Sequence, residues 1–560
     1  MGMEKLRYLT NRLLGDVGYV FFLSLLVIGG FLAATINDPE KVQKLAQNAL
    51  DATANNFGWL YLLVTSGFVL FVLWLSLSRF GNIRLGPNDE PPEFSFSNWL
   101  AMIFSGGMGV GLVFWGVAEP IMHYNSPPLG IGDPRSAEAA QTGMRYAFFH
   151  WGLHQWANFT VVGLAIAYVR FRHNSHGLIS ETFRPLLGDR VDHGWGWAID
   201  ILAVVSTIFG VATTLGLGVL QINSGLSRVA GVSYGLMPQF MIMAGLGCLF
   251  ILSAMTPLNR GIRYLSNANI ILAAGLLLFV LFLGPTAFIF SELTQTFGEY
   301  LGNIVQMSLV TTPYSSEHWV QQWTIFYWAW GLSWAPFVGS FIARISRGRT
   351  IREFVLGVMI VPVALSMLWF STFGGSAIHF ELFGNAGIAE AVGQEVPAGL
   401  FVLLDQLPGG YYAAIAAILL VCMFVITSAD SATFVLGMFT TKGVLNPTRF
   451  VRILWGLLQL LMAAALLLSG GLLGLRTVSI VTAFPFMLLM VIMAYSLYRD
   501  LYQEWLRQEE RSRILNQRIE RMLLRESERE AVRQEDEEVH PTVPVEPEPE
   551  PEPKEGSHPQ

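Results

Sequence analysis

Four aromatic residues recur at helical spacing in one apolar segment, and their rings could together bind a cation. They are Trp323, Tyr327, Trp330 and Trp334, at spacings of 4, 3 and 4 residues. On an α-helix this spacing places all four within about 60° of one another, on a single face. Interfacial tryptophans normally lie at the ends of a membrane span, whereas these continue to its middle. The pattern favours an aromatic surface that faces a ligand.

A second aromatic cluster lies in an earlier apolar segment. Trp151 and Trp156 are followed by Phe159 almost one turn further on. Indole faces attract cations that cannot donate hydrogen bonds, such as quaternary ammonium groups. Bulky core packing is the simpler explanation for any single tryptophan. Two clusters on separate spans, however, favour an aromatic cage around a methylated ammonium group.

A glycine-rich segment, Ser105–Gly111, lies in the middle of the third apolar span with the sequence SGGMGVG. Four glycines among seven residues weaken a helix. A broken membrane helix persists only where its freed backbone groups line a cavity or meet an ion. Freed N–H groups could hold a carboxylate, and freed carbonyl groups could hold a cation. Close helix packing through small residues is an equally good explanation of the glycines alone.

Two adjacent hydroxyls, Thr427 and Ser428, lie in the apolar sequence FVITSAD. Such hydroxyls usually bond back to the preceding helical turn, but they could also be hard oxygen ligands for a small cation. Asp430 is a functional candidate because an ionisable residue in a span is costly; capping the helix is its alternative role. Two further candidates, His150 and His154, have a metal-ligand spacing without an evident third ligand, and structural hydrogen bonding is favoured for both. Glu119 and Pro120 are interpreted as the end of the third span.

The composition requires a membrane around these segments. Hydrophobic residues make up 53% of the 560 residues and charged residues only 13%. Because soluble domains carry about 25% charged residues, this chain cannot cover a water-facing surface of its size. That excludes a soluble enzyme, a nucleic-acid binder and a disordered scaffold. Cys248 and Cys422 lie inside apolar runs and are typical of small core residues rather than of a disulfide.

Apolar windows of about 20 residues predict an all-α membrane protein with 12 transmembrane helices. The predicted spans are 17–35, 57–78, 97–118, 143–169, 197–222, 236–256, 267–290, 320–343, 354–375, 411–438, 451–469 and 477–498. An even count puts both termini on one side. Arginine is concentrated in one set of loops, whereas the long opposite loops 291–319 and 376–410 contain no Lys or Arg. The positive-inside rule therefore predicts cytoplasmic termini.

Three segments outside the spans have their own patterns. Residues 296–310, within the loop 291–319, are amphipathic and could lie flat on the membrane. Residues 499–534 alternate Arg and Glu, which predicts a solvated cytoplasmic helix with i,i+4 pairs. Residues 535–560 form an acidic Pro/Glu tail that is predicted to be disordered because it cannot bury a core.

Four sequence blocks closely resemble the betaine/choline/carnitine transporter family, from about residue 15 to 500. The blocks are MGVGLVFWGVAEP, FFHWGLHQW, WTIFYWAWGLSWAPFVGSFIARISRGRTIREF and FVITSADSATFVLGM. The resemblance implies a homotrimer with a LeuT-like fold in which spans 3–12 form two inverted five-helix repeats. The domains would then be 1–16, a cytoplasmic N-terminus; 17–96, two peripheral helices; 97–290, the first repeat; 291–319, an interfacial helix; and 320–498, the second repeat.

The resemblance also implies two kinds of binding site. Sodium-coupled members bind substrate in a set of rings, here called the aromatic box: Trp151, Trp156, Phe159, Trp330 and Trp334. The backbone of Gly107, Met108 and Gly109 would lie beside it. Sodium would bind Ser105, Met108 and Phe424 through carbonyl oxygens and Thr427 and Ser428 through hydroxyls. In a second sodium site Thr207 and Phe337 match, but Val211 stands where a hydroxyl is expected.

Two box positions depart from the family pattern. Phe159 stands where a tyrosine is common, and Gly331 stands where the family usually has a second tryptophan. A roomier or rearranged site is therefore expected. The glycine at position 111 resembles the pattern of the glycine betaine carriers. Proton-coupled choline carriers of the family tend to have Asp at this position.

These observations predict a secondary active symporter in the inner membrane of a bacterium. It would import glycine betaine or a related quaternary-ammonium osmolyte, driven by sodium and without another cofactor, with membrane lipid as its surroundings and no nucleic-acid partner. A proton-coupled or exchange carrier for choline, carnitine or dimethylsulfoniopropionate is the alternative within the class. A membrane sensor that signals through the charged helix is an alternative from another class. No catalytic constellation favours an enzyme.

Overall fold

Helices account for all the regular structure in the described part of the chain, apart from one isolated bridge between Arg84 and Thr350. The computed structural model describes residues 14–107, 109–255, 258–314 and 318–539. The chain divides into two units, Met1–Tyr498 and Arg499–Gln560. The predicted all-α architecture is confirmed for these ranges.

The helices are α1 Tyr19–Asn37, α2 Pro39–Leu77, α3 Phe96–Gly107, α4 Val110–Asn125, α5 Ala137–His150, α6 Leu153–Arg172, α7 Gly194–Ala230, α8 Leu236–Met255, α9 Leu258–Leu283, α10 Thr286–Leu309, α11 Phe326–Ile345, α12 Ile351–Phe370, α13 Ser376–Gly384, α14 Ile388–Gln394, α15 Ala398–Asp405, α16 Gly410–Thr440 and α17 Arg449–Val539. Short 3₁₀ turns occupy Arg79–Asn82, Pro128–Gly130, Ser180–Phe183 and Gly188–Asp192, beside a single α-helical turn at Arg184–Leu187. Two π-helical turns, Gln321–Ile325 and Ser371–Gly375, lead into α11 and out of α12.

Seven helices in the described ranges are long and apolar enough to cross a membrane, or eight if one bent pair forms a single span. The seven are Tyr19–Asn37, Pro39–Leu77, Gly194–Ala230, Leu236–Ser253, Ile351–Gly384, Gly410–Thr440 and Arg449–Arg533. The last contains two predicted spans, which are separated where Gly471 leaves helical geometry at φ 55°. The chain is therefore a multi-pass membrane protein, while the count of 12 and the inverted repeats stay predictions.

Local capping extends some helices beyond the predicted spans. Helix α2 begins 18 residues before the predicted start at residue 57. It does so because Pro39 suits a first helical turn and the Asp38 side chain accepts a hydrogen bond from the Lys41 N–H, at 3.0 Å. Helix α12 starts with a reciprocal capping box between Thr350 and Glu353. The sequence analysis missed the first of these extensions because residues 39–56 are largely polar.

The predicted interfacial segment lies in α10, which is bent by 107° from the helix segment Asn267–Leu283. Pro285 stands at the bend, where its fixed φ and missing N–H favour a break. On α10 the side chains of Phe297, Leu301 and Val305 are exposed. This helix therefore presents an apolar face along one side.

The second unit is helical from residue 499 to Val539, the end of α17. The predicted charged segment 499–534 lies wholly within this helix. Residues 535–539, which the sequence analysis assigned to a disordered tail, are also helical; glutamates at 535, 537 and 538 are good helix formers. Residues 540–560 lie outside the described part of the chain.

The predicted third span is divided, as its glycines suggested. Helix α3 ends at Gly107 and α4 begins at Val110, with Gly109 as its N-cap. Met108 and the side chain of Ser105 lie outside the described residues. Helix α4 does not end at Glu119 and Pro120 but continues to Asn125. The interpretation of Glu119 and Pro120 as a helix end is therefore wrong. The helix continues through both residues, which are buried in the protein.

Candidate functional site

The five predicted box rings line one cavity. It lies between α4, the α5–α6 junction and α11, and its volume is about 30 Å³. Its lining residues are Gly109, Gly111, Leu112, Trp151, Gln155, Trp156, Phe159, Trp330 and Trp334. The sequence analysis named seven of these by type and spacing or by resemblance, but it did not name Leu112 or Gln155. The function of this cavity stays a prediction at this point.

The rings pack edge to face rather than as flat stacks. Trp151 and Trp330 have centroids 6.1 Å apart at 84°, and Trp156 and Phe159 are 5.5 Å apart at 90°. Trp330 and Trp334 are 6.2 Å apart at 55°. Edge-to-face packing keeps part of each negative ring face free, and such faces can surround a cation.

The aromatic stripe of α11 divides into two parts. Trp330 and Trp334 line the cavity, whereas Trp323 and Tyr327 pack against Trp115, at 5.9 Å and 5.7 Å. The guanidinium of Arg476 lies over this second group, 4.9 Å from the Trp323 ring and 4.4 Å from that of Phe326. We call this group of five residues the cationic layer: Trp115, Trp323, Phe326, Tyr327 and Arg476. The sequence analysis did not connect Arg476 to the stripe, because no sequence spacing links them.

Two larger cavities lie on either side of the aromatic box along α11. The N-terminal cavity, of about 560 Å³, is lined by Gln47, Leu50, Asp51, Ala54, Asn55, His318, Gln321, Gln322, Leu473, Arg476, Thr477 and Ile480. The C-terminal cavity, of about 200 Å³, is lined by Arg170, Phe337, Ser340, Phe341, Arg344, Ile345, Asp430, Ser431, Phe434, Val435 and Met438. At about 1.5 Å per residue, Gln322 lies about 12 Å before Trp330, and Ser340 about 9 Å after Trp334.

A buried polar network holds one box ring. The indole N–H of Trp151 donates to Oε2 of Glu119 at 2.9 Å, and Oε1 of Glu119 lies 2.6 Å from Nδ1 of His150. Nε2 of His150 lies 3.0 Å from the hydroxyl of Thr324 in the turn before α11. Glu119 and His150 are fully buried. The network therefore links α4 and α5 to the turn before α11 through the His150 imidazole, while Glu119 also holds the ring of Trp151.

The same cluster offers three groups that could ligate a metal. Ligand atoms of Glu119, His123 and His150 all lie within 4.8 Å of one another. The contact of 2.6 Å between Glu119 and His150 is a hydrogen-bond distance, shorter than the roughly 3.3 Å that separates two ligand atoms on tetrahedral zinc. His154 does not join them, because its Nε2 lies 2.9 Å from the Ser308 hydroxyl. Structural hydrogen bonding of His150 and His154 is confirmed.

The candidate sodium ligands lie beside the break between α3 and α4. A Cβ atom placed on Gly109 would lie 3.7 Å from the Ser428 hydroxyl and 3.9 Å from the Trp334 ring. The Thr427 hydroxyl donates to the Met423 and Phe424 carbonyl oxygens and accepts from Asn269. One lone pair of the Thr427 oxygen is thus left. Asn269 was missed because nothing in its sequence surroundings indicates this contact.

The residues of the second candidate sodium site make ordinary helical and packing contacts. Thr207 donates its hydroxyl hydrogen to the Ala203 carbonyl oxygen at 2.7 Å, the ordinary arrangement within a helix. Phe337 packs against Trp334 with ring centroids 5.6 Å apart, and Val211 is fully buried. Asp430, the ionisable candidate, accepts a hydrogen bond from Ser253 and lines the C-terminal cavity.

The space beside Gly331 is filled, so the site is rearranged and not roomier. A Cβ atom on Gly331 would lie 2.3 Å from Oε1 and 2.4 Å from Nε2 of Gln155. The amide of Gln155 therefore occupies the volume into which a side chain at position 331 would begin to extend. Of the two expected outcomes, a roomier or a rearranged site, the structure has the second, because a residue on the facing helix replaces the missing bulk.

The profile described as BCCT, the betaine/carnitine/choline family transporter, matches residues 19–506. The chain belongs to this family. It is 46% identical to the glycine betaine transporter OpuD of Bacillus subtilis (strain 168), over 88% of this chain and 96% of the relative. It is 44% identical to the ectoine/hydroxyectoine transporter of Virgibacillus pantothenticus, over 88% and 97% of the two chains. A probable glycine betaine transporter of Desulfitobacterium hafniense (strain Y51) is 44% identical over 83% and 93%.

Membership of the betaine/carnitine/choline family makes this chain a transporter and not an enzyme. Polar and aromatic residues on α4, α6 and α11 are thus parts of a transport protein.

Proposed function

We propose that this chain is a sodium-driven symporter that imports glycine betaine or a related quaternary-ammonium osmolyte. The observation that carries the proposal is the position of the aromatic box, midway along α11 between two larger cavities. A transporter must expose one site to each side of the membrane in turn. The relatives whose names state glycine betaine transport support the choice of substrate.

Each end of the box has its own barrier. The cationic layer separates the box from the N-terminal cavity, and Phe337 lies between Trp334 and the C-terminal cavity. Arg344 and Arg347 follow at the C-terminal end of α11, so the positive-inside rule places that end in the cytoplasm. Both termini would then be cytoplasmic, in the plasma membrane of a bacterium, and import would pass from the N-terminal to the C-terminal cavity.

Sodium would couple the substrate to the membrane potential. The proposed ligands are carbonyl oxygens of Ser105, Met108 and Phe424 with the hydroxyls of Thr427 and Ser428. The position of the Ser428 hydroxyl, 3.7 Å from a Cβ atom placed on Gly109, supports this set, because a bound cation there would connect the break between α3 and α4 to α16. Moving one charge inward gains about 2.3 kcal/mol per 100 mV, enough to concentrate a neutral zwitterion. The pair Thr207 and Phe337 is proposed as a weaker second site.

The assembly proposed is a homotrimer. The exposed apolar face of α10, formed by Phe297, Leu301 and Val305, supports a contact with lipid or with another copy. Chemical cross-linking in native membranes measures this directly, and a monomeric pattern would contradict it.

The test of the function is uptake into proteoliposomes that contain the purified chain. Labelled glycine betaine should accumulate when a sodium gradient and an inside-negative potential are imposed, and accumulation should stop when potassium replaces external sodium. Sodium-independent uptake would favour the proton-coupled or exchange alternative. Absence of any osmolyte uptake would contradict the function itself.

The variant Thr427→Ala/Ser428→Ala should lose at least tenfold of its apparent sodium affinity. Both hydroxyl ligands are then missing, and each neutral oxygen that coordinates an ion contributes on the order of 1 kcal/mol. The matched control is Thr433→Ala, whose hydroxyl bonds to the Asp430 carbonyl further along α16. The measurement is the sodium concentration for half-maximal uptake. Equal values for the double variant and the control would contradict the sodium site.

Glu119→Gln should raise the KM for glycine betaine about tenfold, because an amide cannot accept from both Trp151 and His150 with the strength of a carboxylate. Glu119 acts here as a positioning residue. In a Trp151→Phe background, which lacks the indole N–H, the same change should raise KM by less than twofold. The control is Glu292→Gln, which changes a half-buried residue whose carboxylate accepts from Thr296. Additive effects of Glu119→Gln and Trp151→Phe would mean that the network does not act through the ring.

A further inference from the structure

We infer that Gln155 determines substrate specificity, by favouring osmolytes whose cationic nitrogen carries an N–H group over fully methylated ones. This inference rests on the proposed function, since it assigns a substrate class to the same box. Gln155 lies on α6 one turn after Trp151 and directly before Trp156. Its side chain lines the cavity and is 9% exposed.

The Gln155 amide fits in this position because residue 331 is glycine. With any larger residue at position 331, the first side-chain carbon would overlap the amide of Gln155, at 2.3–2.5 Å from its oxygen, nitrogen and carbon. Position 331 and position 155 therefore form one unit, in which a glycine on α11 makes room for a polar group from α6. The wall of the box at this point is an amide instead of an apolar ring.

The amide oxygen of Gln155 has an unused hydrogen-bonding capacity. Oε1 of Gln155 is buried and has no hydrogen-bond partner among the described residues. A buried acceptor without a partner costs about 1–3 kcal/mol, and a donor on the substrate would remove that cost. Within the described lining of the cavity, Gln155 alone has a side-chain acceptor, because tryptophan donates only and the remaining residues have no polar side chain.

The donors of the box complete the chemistry. The indole N–H groups of Trp330 and Trp334 are buried and also without a partner in the described structure. They suit a carboxylate, whereas Gln155 suits an N–H that carries positive charge. The two together fit a zwitterion with both groups, such as the cyclic amidinium of ectoine or the tertiary ammonium of N,N-dimethylglycine.

A trimethylammonium group fits less well at this position. It offers only C–H groups to the amide oxygen, and C–H···O contacts are the weaker kind of hydrogen bond. It retains the cation–π attraction of the rings. Glycine betaine therefore remains a substrate, while compounds that exchange one methyl group for hydrogen gain a charge-assisted hydrogen bond.

The experiment compares N,N-dimethylglycine with glycine betaine, which differ by one methyl group, and adds ectoine as a third labelled compound. Uptake is measured in proteoliposomes for the wild type, Gln155→Met and Gln459→Met. Methionine keeps the length of the side chain and removes the amide acceptor. Gln459 is the matched control because it is a buried glutamine without a described hydrogen-bond partner, on α17 outside the cavity lining.

For Gln155→Met, the KM ratio of glycine betaine to dimethylglycine should fall at least tenfold from the wild-type value, and that for ectoine should change in the same direction. Gln459→Met should leave both ratios within twofold. Because a ratio is internal to one protein, a lower amount of folded variant does not alter it. An unchanged ratio in Gln155→Met would overturn the inference while leaving the proposed function in place.

The wild type alone provides a second measurement that does not depend on a variant. A tenfold preference for glycine betaine over both N–H compounds would overturn the inference. Uptake of none of the three compounds would overturn the proposed function and the inference together. The reverse exchange, Gln155→Ala/Gly331→Trp, should move the preference toward glycine betaine, since it replaces the amide by an indole.

Discussion

Alanine at position 111 should weaken glycine betaine binding by ten- to a hundredfold. A Cβ atom at Gly111 would lie 2.3 Å from Cη2 of Trp330 and 3.1 Å from Cη2 of Trp151. Neither indole can yield easily, because Trp330 is packed on Phe326 at 5.9 Å and Trp151 is tied to Glu119. Overpacking a filled site costs about 1–3 kcal/mol, and the box rings would carry that cost.

The matched control for Gly111→Ala is Gly245→Ala, on α8, where an added Cβ meets open space. Both variants should accumulate in the membrane, and only the first should show a raised KM. The measurement is the concentration dependence of labelled glycine betaine uptake. An unchanged KM for Gly111→Ala would mean that Trp330 and Trp151 do not form the substrate site. Aspartate at position 111 would meet the same collision and would add a charge to the box.

Periodicity was enough to predict part of the box. A spacing of four residues fixes Trp330 and Trp334 on one face of α11 whatever lies around them, and both do line the cavity. The glycines of SGGMGVG likewise predicted a break, which lies between Gly107 and Val110. These features are local, since each depends on residues that are neighbours along one helix.

Features that depend on contacts between helices were not predictable in this way. Trp323 and Tyr327 share the spacing of the box residues, yet both pack against Trp115. Arg476, about 150 positions later in the chain, lies over Trp323. The amide of Gln155 on α6 fills the space beside Gly331 on α11. A single sequence contains no record of such pairs, so the missing tryptophan predicted a roomier or rearranged site without showing which of the two forms, and the structure has a polar group there.

Trp330→Leu should raise the KM for glycine betaine about 30-fold, whereas Trp328→Leu should leave it within threefold. Two positions along a helix rotate a side chain by about 200°, so these neighbouring tryptophans face opposite ways. Trp330 faces the cavity. Trp328 is fully buried, stacked on His154 at 5.1 Å and close to Phe149 at 5.3 Å.

The two substitutions remove different kinds of interaction. Leucine at position 330 removes a desolvated cation–π contact worth about 2 kcal/mol, which corresponds to about 30-fold in affinity. Leucine at position 328 leaves a cavity in the core instead, and should lower the melting temperature and the yield of folded protein. Measuring KM and thermal stability for both variants separates substrate contact from packing. If both variants lowered thermal stability without changing KM, the rings of α11 would be core residues and the aromatic box would have no role in binding.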